Sequence, residues 1–456
     1  MIVGGGISGL TAAYRLKQSG LEVTLLERED AVGGKARTTR MNGLTFDWGP
    51  NGFLSNAPDT LQLVKDLGLE GELEPASEAA KHRFVWQGGK LEKLPGTPPA
   101  AIRTTLLTPP EKLRALREWF VPALREPHPE SVYNFAARRF GRAVAERFIL
   151  PMVSGITAGD ARTTSLDALF PRMRAMEKSK GSLLRALVDG QRQARKADQK
   201  PVPARLTSFK QGGIGRLSDQ LRESLGPSVR CGVSASRLER FGGRYHLETS
   251  VGTLEADAVM LGTPAFISAD LLEGLEPDLA RELRAIPYAS VRVFGLAYRR
   301  EDVPVNLDGF GFLSARGRGL RILGCLYTST LFPTQAANGL VYLRVIAGGS
   351  LDPDFAHLSD PDAWALVERD LETSLGILEK PVSRQHARWD DGIPQYDLDH
   401  PARLVRIDGA LERLPGVLLI GNAYRGVGVN DCIREATRAA KRLTSQPTPE
   451  PSLALR

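Results

Sequence analysis

Two glycine-rich stretches at opposite ends of the chain set the tightest limit on its fold. The first is Gly4-Gly5-Gly6-Ile7-Ser8-Gly9; the second runs from Leu418 through Gly421-Asn422 and Gly426 to Val427-Gly428-Val429-Asn430-Asp431. The G-x-G-x-x-G spacing of the first suits a strand-to-helix turn. Gly4 makes the turn, Gly6 lets a pyrophosphate approach the main chain, and Gly9 lets the helix pack closely on the strand. The apolar run Leu10 to Leu16 continues as an amphipathic helix, so the anion, with Ser8 beside it, sits where unpaired N–H groups point. A second strand, Glu22 to Leu26, ends at Glu27, whose carboxylate accepts from both ribose hydroxyls and repels a 2′-phosphate. Two ligand loops so far apart in sequence imply one long dinucleotide gripped from both ends.

Gly33-Gly34-Lys35 followed by Thr38 distinguishes an FAD fold from an NAD dehydrogenase once the first loop and Glu27 are in place. At the other end, Gly421 and Asn422 meet the ribityl-pyrophosphate region. Val427, Gly428 and Val429 present backbone N–H groups of a helix start to the flavin pyrimidine, which favours the anionic reduced flavin. A plain helix N-terminus capped by Asn430 or Asp431 is the blander alternative. Arg28 and Val233 are placed with the same cradle. Only Met1, Ile2 and Val3 precede Gly4, fewer than the five or six residues usual in a strand; upstream apolar residues are expected to raise flavin retention.

The 456 residues call for two or three domains. No run approaches the ~18 apolar residues of a membrane span, and no signal peptide is expected. Cys231, Cys325 and Cys432 are far apart and read as reduced thiols of a cytoplasmic protein. The six histidines fall in no ligand spacing, so no metal site is expected. Net charge is +7 and uneven: Arg172 to Lys200 holds nine Lys/Arg against three Asp/Glu. That patch suits an anionic lipid or acidic substrate. Without interleaved aromatics or a nucleic-acid motif, nucleic acid is set aside. There is no G-x-S-x-G elbow, P-loop or carboxylate pair, and flavin chemistry needs none.

The pattern predicts an α/β chain: a discontinuous Rossmann-like FAD-binding domain (1–75, 204–275 and 391–446), an inserted β-sheet substrate domain (hairpin 76–95, sheet 276–390), a helical insertion (96–203) and a tail (447–456). In the insertion, Leu113, Leu116, Trp119, Phe120, Ala123 and Leu124 recur at helical spacing, as do Val132, Phe135, Ala136, Phe140, Val144 and Phe148, and both stripes read as core before interface. The aromatic stripe in a helix 111–124 also suits a membrane surface.

With these residues in view, the chain resembles the FAD-dependent protoporphyrinogen oxidases, relatives of the flavin amine oxidases. The resemblance rests on Gly4 to Gly9, Gly49-Pro50-Asn51, the Arg83 to Pro95 hairpin, Gly155 to Asp160, Gly309 to Leu313, Leu331-Phe332-Pro333, Gly348-Gly349, Ile393-Pro394-Gln395-Tyr396 and Gly421 to Ile433. It implies a six-electron oxidation of a porphyrinogen in three rounds, each returning electrons to O2 as peroxide. It also implies a membrane-associating helical insertion, which makes the protein cytoplasmic and peripherally membrane-bound, with a ferrochelatase and a second copy of the chain as candidate partners. Leu313 and Phe332 match positions that sandwich the macrocycle; Asn51 and Gly159 match positions near the flavin, and Gly348 joins the substrate set. Relatives place an Arg after the hairpin to hold a propionate, where this chain has Pro98-Pro99, so Arg103 or Lys93 is expected to substitute. Coproporphyrinogen III oxidation, an amine oxidase and a flavin scaffold without turnover are the alternatives.

Overall fold

In a computed structural model, described over residues 1–124, 128–196 and 204–445, three distant parts of the chain build one parallel sheet. Its order is Val229–Arg230, Leu25–Leu26, Ile2–Val3, Val259–Leu261, Val417–Leu419. Ile2 pairs with Leu25 on one side and Met260 on the other, so the short N-terminal strand is central. The helices Ile7–Gln18 and Val429–Ser445 cover one face and bury Leu10, Ala13, Ile433 and Ala436 in a shared core. On the other face, Leu26, Leu261 and Val417 pack with Leu247 of an antiparallel meander, Ala235–Phe241, Arg244–Thr249 and Gly252–Ala256.

The expected strand Glu22 to Leu26 shrinks to Leu25–Leu26, and its neighbour Val229–Arg230 is equally short. Past Leu26 the two segments bond as a loop: Glu27 N donates to Arg230 O at 2.9 Å, and Val233 N to Glu27 O at 2.9 Å. That loop turns Glu27 and Val233 toward the ligand side instead of extending the sheet.

A second sheet has seven strands in the order Ser383–Pro394, Tyr288–Arg299, Leu340–Gly348, Ile322–Leu326, Gly311–Ser314, Arg83–Trp86, Leu91–Lys93. The early hairpin is thus its edge, with Arg83–Trp86 parallel to Gly311–Ser314. Strand alternation sends Leu343 and Val345 into a core with Phe294 and the helix Asp360–Leu375. Their neighbours Tyr342, Arg344 and Ile346 face the nucleotide domain instead.

The helical insertion corrects one expectation. The helix predicted over 111–124 is Pro109–Leu116 followed by a tight turn, Arg117–Phe120. Leu113, Leu116 and Phe120 are 55%, 60% and 78% exposed, so this stripe is surface and not core. The reason is that Glu118 and not the apolar stripe turns inward. It ion-pairs with Arg139, both side chains being fully buried, and its oxygens also accept from Ser182 Oγ and the Leu183 and Leu184 amides. Glu177 bridges Arg138, Arg139 and Arg174, and Glu130 joins the last and first of these. The second stripe is core in its first turns, where Val132, Phe135 and Ala136 are buried, but Phe140, Val144 and Phe148 are only half-buried and Phe148 lines the cavity described below. Arg174 of the basic patch is spent inside this network, Lys180 pairs with Asp189 at 3.1 Å, and residues 197–200 lie outside the described residues. Among the described residues no helix is long and apolar enough to cross a membrane.

Candidate active site

Between the two sheets runs one cavity of about 2580 Å³, well beyond the ~300–1,000 Å³ of a site for one small ligand. Its cofactor end is built from main chain. Gly4, at φ +103°, makes the turn, and a Cβ on Gly9 would collide with the Gly4 carbonyl oxygen. Gly9 therefore does not line the cavity; its role is helix-to-strand packing. A Cβ on Gly6 or Gly421 would meet no protein atom within 4 Å and would enter the open cradle instead. Glu27 is aimed by two amides, Gly5 N to Oε2 at 2.7 Å and Glu29 N to Oε1 at 2.9 Å. Gly33, at φ +106°, bonds Gly5 O through its N–H at 2.8 Å, which lays Gly34 against Gly6, while Lys35 packs on Gly49. Burial lowers the Lys35 pKa to about 8.

Gly4, Gly6, Ser8, Glu27, Arg28, Gly33, Gly34, Lys35, Gly49, Pro50, Asn51, Val233, Gly421, Asn422, Val427, Gly428 and Val429 all line this cavity. The Asn51 amide nitrogen is buried there with no partner. Asp431 accepts from Gly428 N at 3.3 Å, and Asn430 is spent on Leu54 O and the Thr60 hydroxyl. Behind the loop 421–428 stands a clamp that sequence reasoning missed. The Tyr396 hydroxyl donates to Asn422 O at 2.7 Å and accepts from Gly426 N at 2.9 Å. His400 stacks on it with ring centroids 4.0 Å apart and reaches Tyr424 O at 2.8 Å. The quoted Ile393 to Tyr396 block carried the only signal.

The other end is walled by side chains. Leu313, Leu326, Val293 and Ile346 rise from the second sheet, and Met152, Gly155 and Ile156 come from the helix Leu150–Thr157. Gly155 permits that approach, since a Cβ there would strike the Leu313 side chain. Arg83, Lys93 and Arg103 line the mouth without a carboxylate partner among the described residues, Arg83 lying 4.9 Å from the Phe310 ring centroid. By contrast Lys81 and Arg205 are paired with Glu78, and His82 with Asp308.

Three expected substrate residues are not on this wall. Phe332 is fully buried behind it, packed with Ala76, Leu331 and Phe310. Gly159 faces the Gln395 side chain, where a Cβ would clash, so it seats the Gln395 segment. Gly348, at φ +97°, would bring a Cβ to 2.8 Å from Ser290 O and serves strand pairing. In each case sequence position identifies the neighbourhood but not the direction of the side chain.

A family of flavin containing amine oxidoreductases matches residues 7–444. The chain belongs to this family. It is 32% identical to the coproporphyrinogen III oxidase of Bacillus subtilis over 96% of both chains. It is 33% identical to the protoporphyrinogen oxidase of Homo sapiens over 96% of this chain and 97% of that one. Among solved structures it superposes, with a TM-score of 0.83, 28% identity and 97% of each chain covered, on an Exiguobacterium protein provisionally named protoporphyrinogen oxidase. The protein is an FAD-dependent oxidoreductase, and its cradle fits that cofactor: the openings at Gly6 and Gly421, the aimed Glu27 carboxylate and the orphaned Asn51 amide lie along one cavity.

Proposed function

We propose that the protein oxidises protoporphyrinogen IX to protoporphyrin IX with O2 as the acceptor. The observation that carries this reading is the second, apolar compartment of the cavity, contiguous with the cofactor cradle and flanked at its mouth by the exposed cations Arg83, Lys93 and Arg103. An apolar macrocycle with carboxylates on one edge matches that distribution. FAD held in this cradle would supply the hydride acceptor and the route of the electrons to O2, with H2O2 as the co-product. The chain's own part is to hold and orient: Leu313, Leu326 and Ile346 bury the macrocycle and exclude water, while Arg83, Lys93 and Arg103 anchor propionates at the rim. Lys35 and the amides around Gly6 neutralise the pyrophosphate.

Coproporphyrinogen III is the second reading, favoured by the number of free cations at the mouth, since it carries four propionates where protoporphyrinogen carries two. An amine substrate is disfavoured. The aromatic pair that does line the cavity, Trp48 and Trp389 with centroids 6.1 Å apart, has the Arg37 guanidinium 4.9 Å over Trp48, so an ammonium would meet a like charge. A peripheral membrane surface on the cytoplasmic side is supported by exposed Ile102, Leu113, Leu116 and Phe120 beside Lys112 and Arg117. A ferrochelatase as consumer of the product and a homodimer extend the same reading.

The test is growth of porphyrin fluorescence in air with FAD-loaded protein, both porphyrinogens run side by side for kcat/KM. Turnover of protoporphyrinogen with the higher kcat/KM is expected. A preference for coproporphyrinogen moves the enzyme to the second reading, and no turnover of either discards both.

A further inference from the structure

Arg344 is a buried cation that the reading above leaves without a task. It sits mid-strand in Leu340–Gly348, 3% exposed, on the sheet face that looks toward the nucleotide domain. Its strand neighbours are Gly295 on one side and Leu326 on the other. Nε donates to Asp47 O at 3.2 Å and Nη2 donates to Gly49 O. Nη1 has no protein partner among the described residues, and the side chain lines the cavity beside Trp48, Gly49, Ile346 and Trp389. Among the described residues no carboxylate lies within ion-pair distance of it. Asp47 is the nearest in the field, but its Oδ1 is taken by the Thr38 hydroxyl at 2.6 Å and the Ile214 amide at 3.0 Å. Burial holds the guanidinium below its ordinary pKa and pushes Asp47 up to about 6.

A buried charge without a paired counterion costs several kcal/mol, and a fold that keeps one faces it toward an anion that the chain does not supply. Besides the pyrophosphate, which Lys35 and the amides around Gly6 meet, two anions can enter this cavity, a substrate propionate and the reduced flavin. The propionates have Arg83, Lys93 and Arg103 at the mouth. Arg344 instead grips the strap Asp47–Gly49, which continues into Pro50 and Asn51 of the cofactor wall, and its other cavity neighbours are apolar.

We propose that Arg344 is a positioning residue of the flavin chamber that fixes the Asp47–Gly49 strap and whose constant positive charge biases bound flavin toward its reduced, anionic form. Because Arg344 is 3% exposed, such a charge acts through an effective dielectric well below that of water. The proposal rests on FAD binding and not on the identity of the porphyrinogen, so its test uses no porphyrinogen.

FAD-loaded wild type, Arg344→Lys and Arg344→Gln are compared for two-electron midpoint potential and for sulfite affinity read from the flavin absorbance. Lys keeps the charge, whereas Gln keeps a donor for the Gly49 carbonyl and loses the charge. The Gln variant is expected to bind sulfite at least about tenfold more weakly, with a midpoint lower by about 30 mV or more, the equivalent of a tenfold change for a two-electron couple. The Lys variant is expected to stay close to wild type. Equal losses in Lys and Gln make geometry and not charge the cause and overturn the electrostatic part. Unchanged potential and sulfite affinity in Gln overturn the proposal, whether FAD content drops or only KM later rises. Should Gln fail to retain FAD, Arg344→Met in the same assays gives the neutral comparison, and Lys alone tests the requirement for charge: a Lys variant that loads FAD but binds sulfite tenfold more weakly is an overturning result.

Discussion

The cofactor end of the cavity and the helical insertion both bury polar groups, and they do so by opposite means. In the cradle the polar work falls to the main chain, with Gly4 and Gly33 turning it at positive φ and Gly6 and Gly421 opening space for a ligand that completes the hydrogen bonding. In the insertion it falls to side chains, where Arg138, Arg139 and Arg174 meet Glu118, Glu130 and Glu177 with no ligand involved. One region therefore leaves polar groups to be met by a bound partner, the Asn51 amide among them, whereas the other is internally complete.

The largest effect expected from this contrast is in the insertion. Glu118→Gln or Arg139→Met alone leaves a buried charge uncompensated and should cost about 3–5 kcal/mol, whereas the double change to Leu and Met should recover much of it. Chemical denaturation with limited proteolysis of residues 98–196 reads this out. Flavin content at 450 nm is expected to hold in the double variant, and its loss there would erase the distinction between the regions.

In the cradle, Gly6→Leu fills the opening meant for the pyrophosphate. FAD affinity should fall at least about 100-fold, roughly 2.7 kcal/mol, while the circular dichroism of the cofactor-free protein stays unchanged. Wild-type FAD affinity in this variant would place the pyrophosphate elsewhere.

The smallest effect sharpens the role of Lys35. Its pKa in the cofactor-free protein is lowered by burial to about 8, so an adjacent anion should raise it again. Above pH 8 FAD binding then takes up a proton, and affinity should weaken as pH rises, by at most tenfold per unit. Folding has the opposite sign: the unfolded chain holds more protons between about pH 8 and the ordinary lysine value of 10.5, so this group's share of apoprotein stability increases with pH across that window. Titration of FAD fluorescence quenching against pH, with Lys35→Met as the flat control, measures the first effect.

How far each region can be read from sequence follows the same division. Gly4, Gly6, Glu27 and Gly421 were legible because a turn, an open approach and a carboxylate at a strand end are local requirements that spacing records. The stripe Leu113, Leu116, Phe120 has helical periodicity, yet periodicity cannot say which face meets the core. That was decided by Arg139, twenty-one residues past Glu118, and by Ser182, sixty-four past it. Phe332 lay in a recognisable block, but its ring turned away from the cavity because Ala76 and Phe310 close over it.

By itself, the sequence determined the dinucleotide fold, the cofactor and the segments that hold it, since those depend on backbone geometry within a few residues. The tertiary structure decided which charges are left facing the cavity unpaired, among them Arg83, Lys93 and Arg103 at the mouth and Arg344 in the wall beside the cofactor strap. Whether a cation finds a partner depends on strands and loops hundreds of residues away, and no local spacing encodes that.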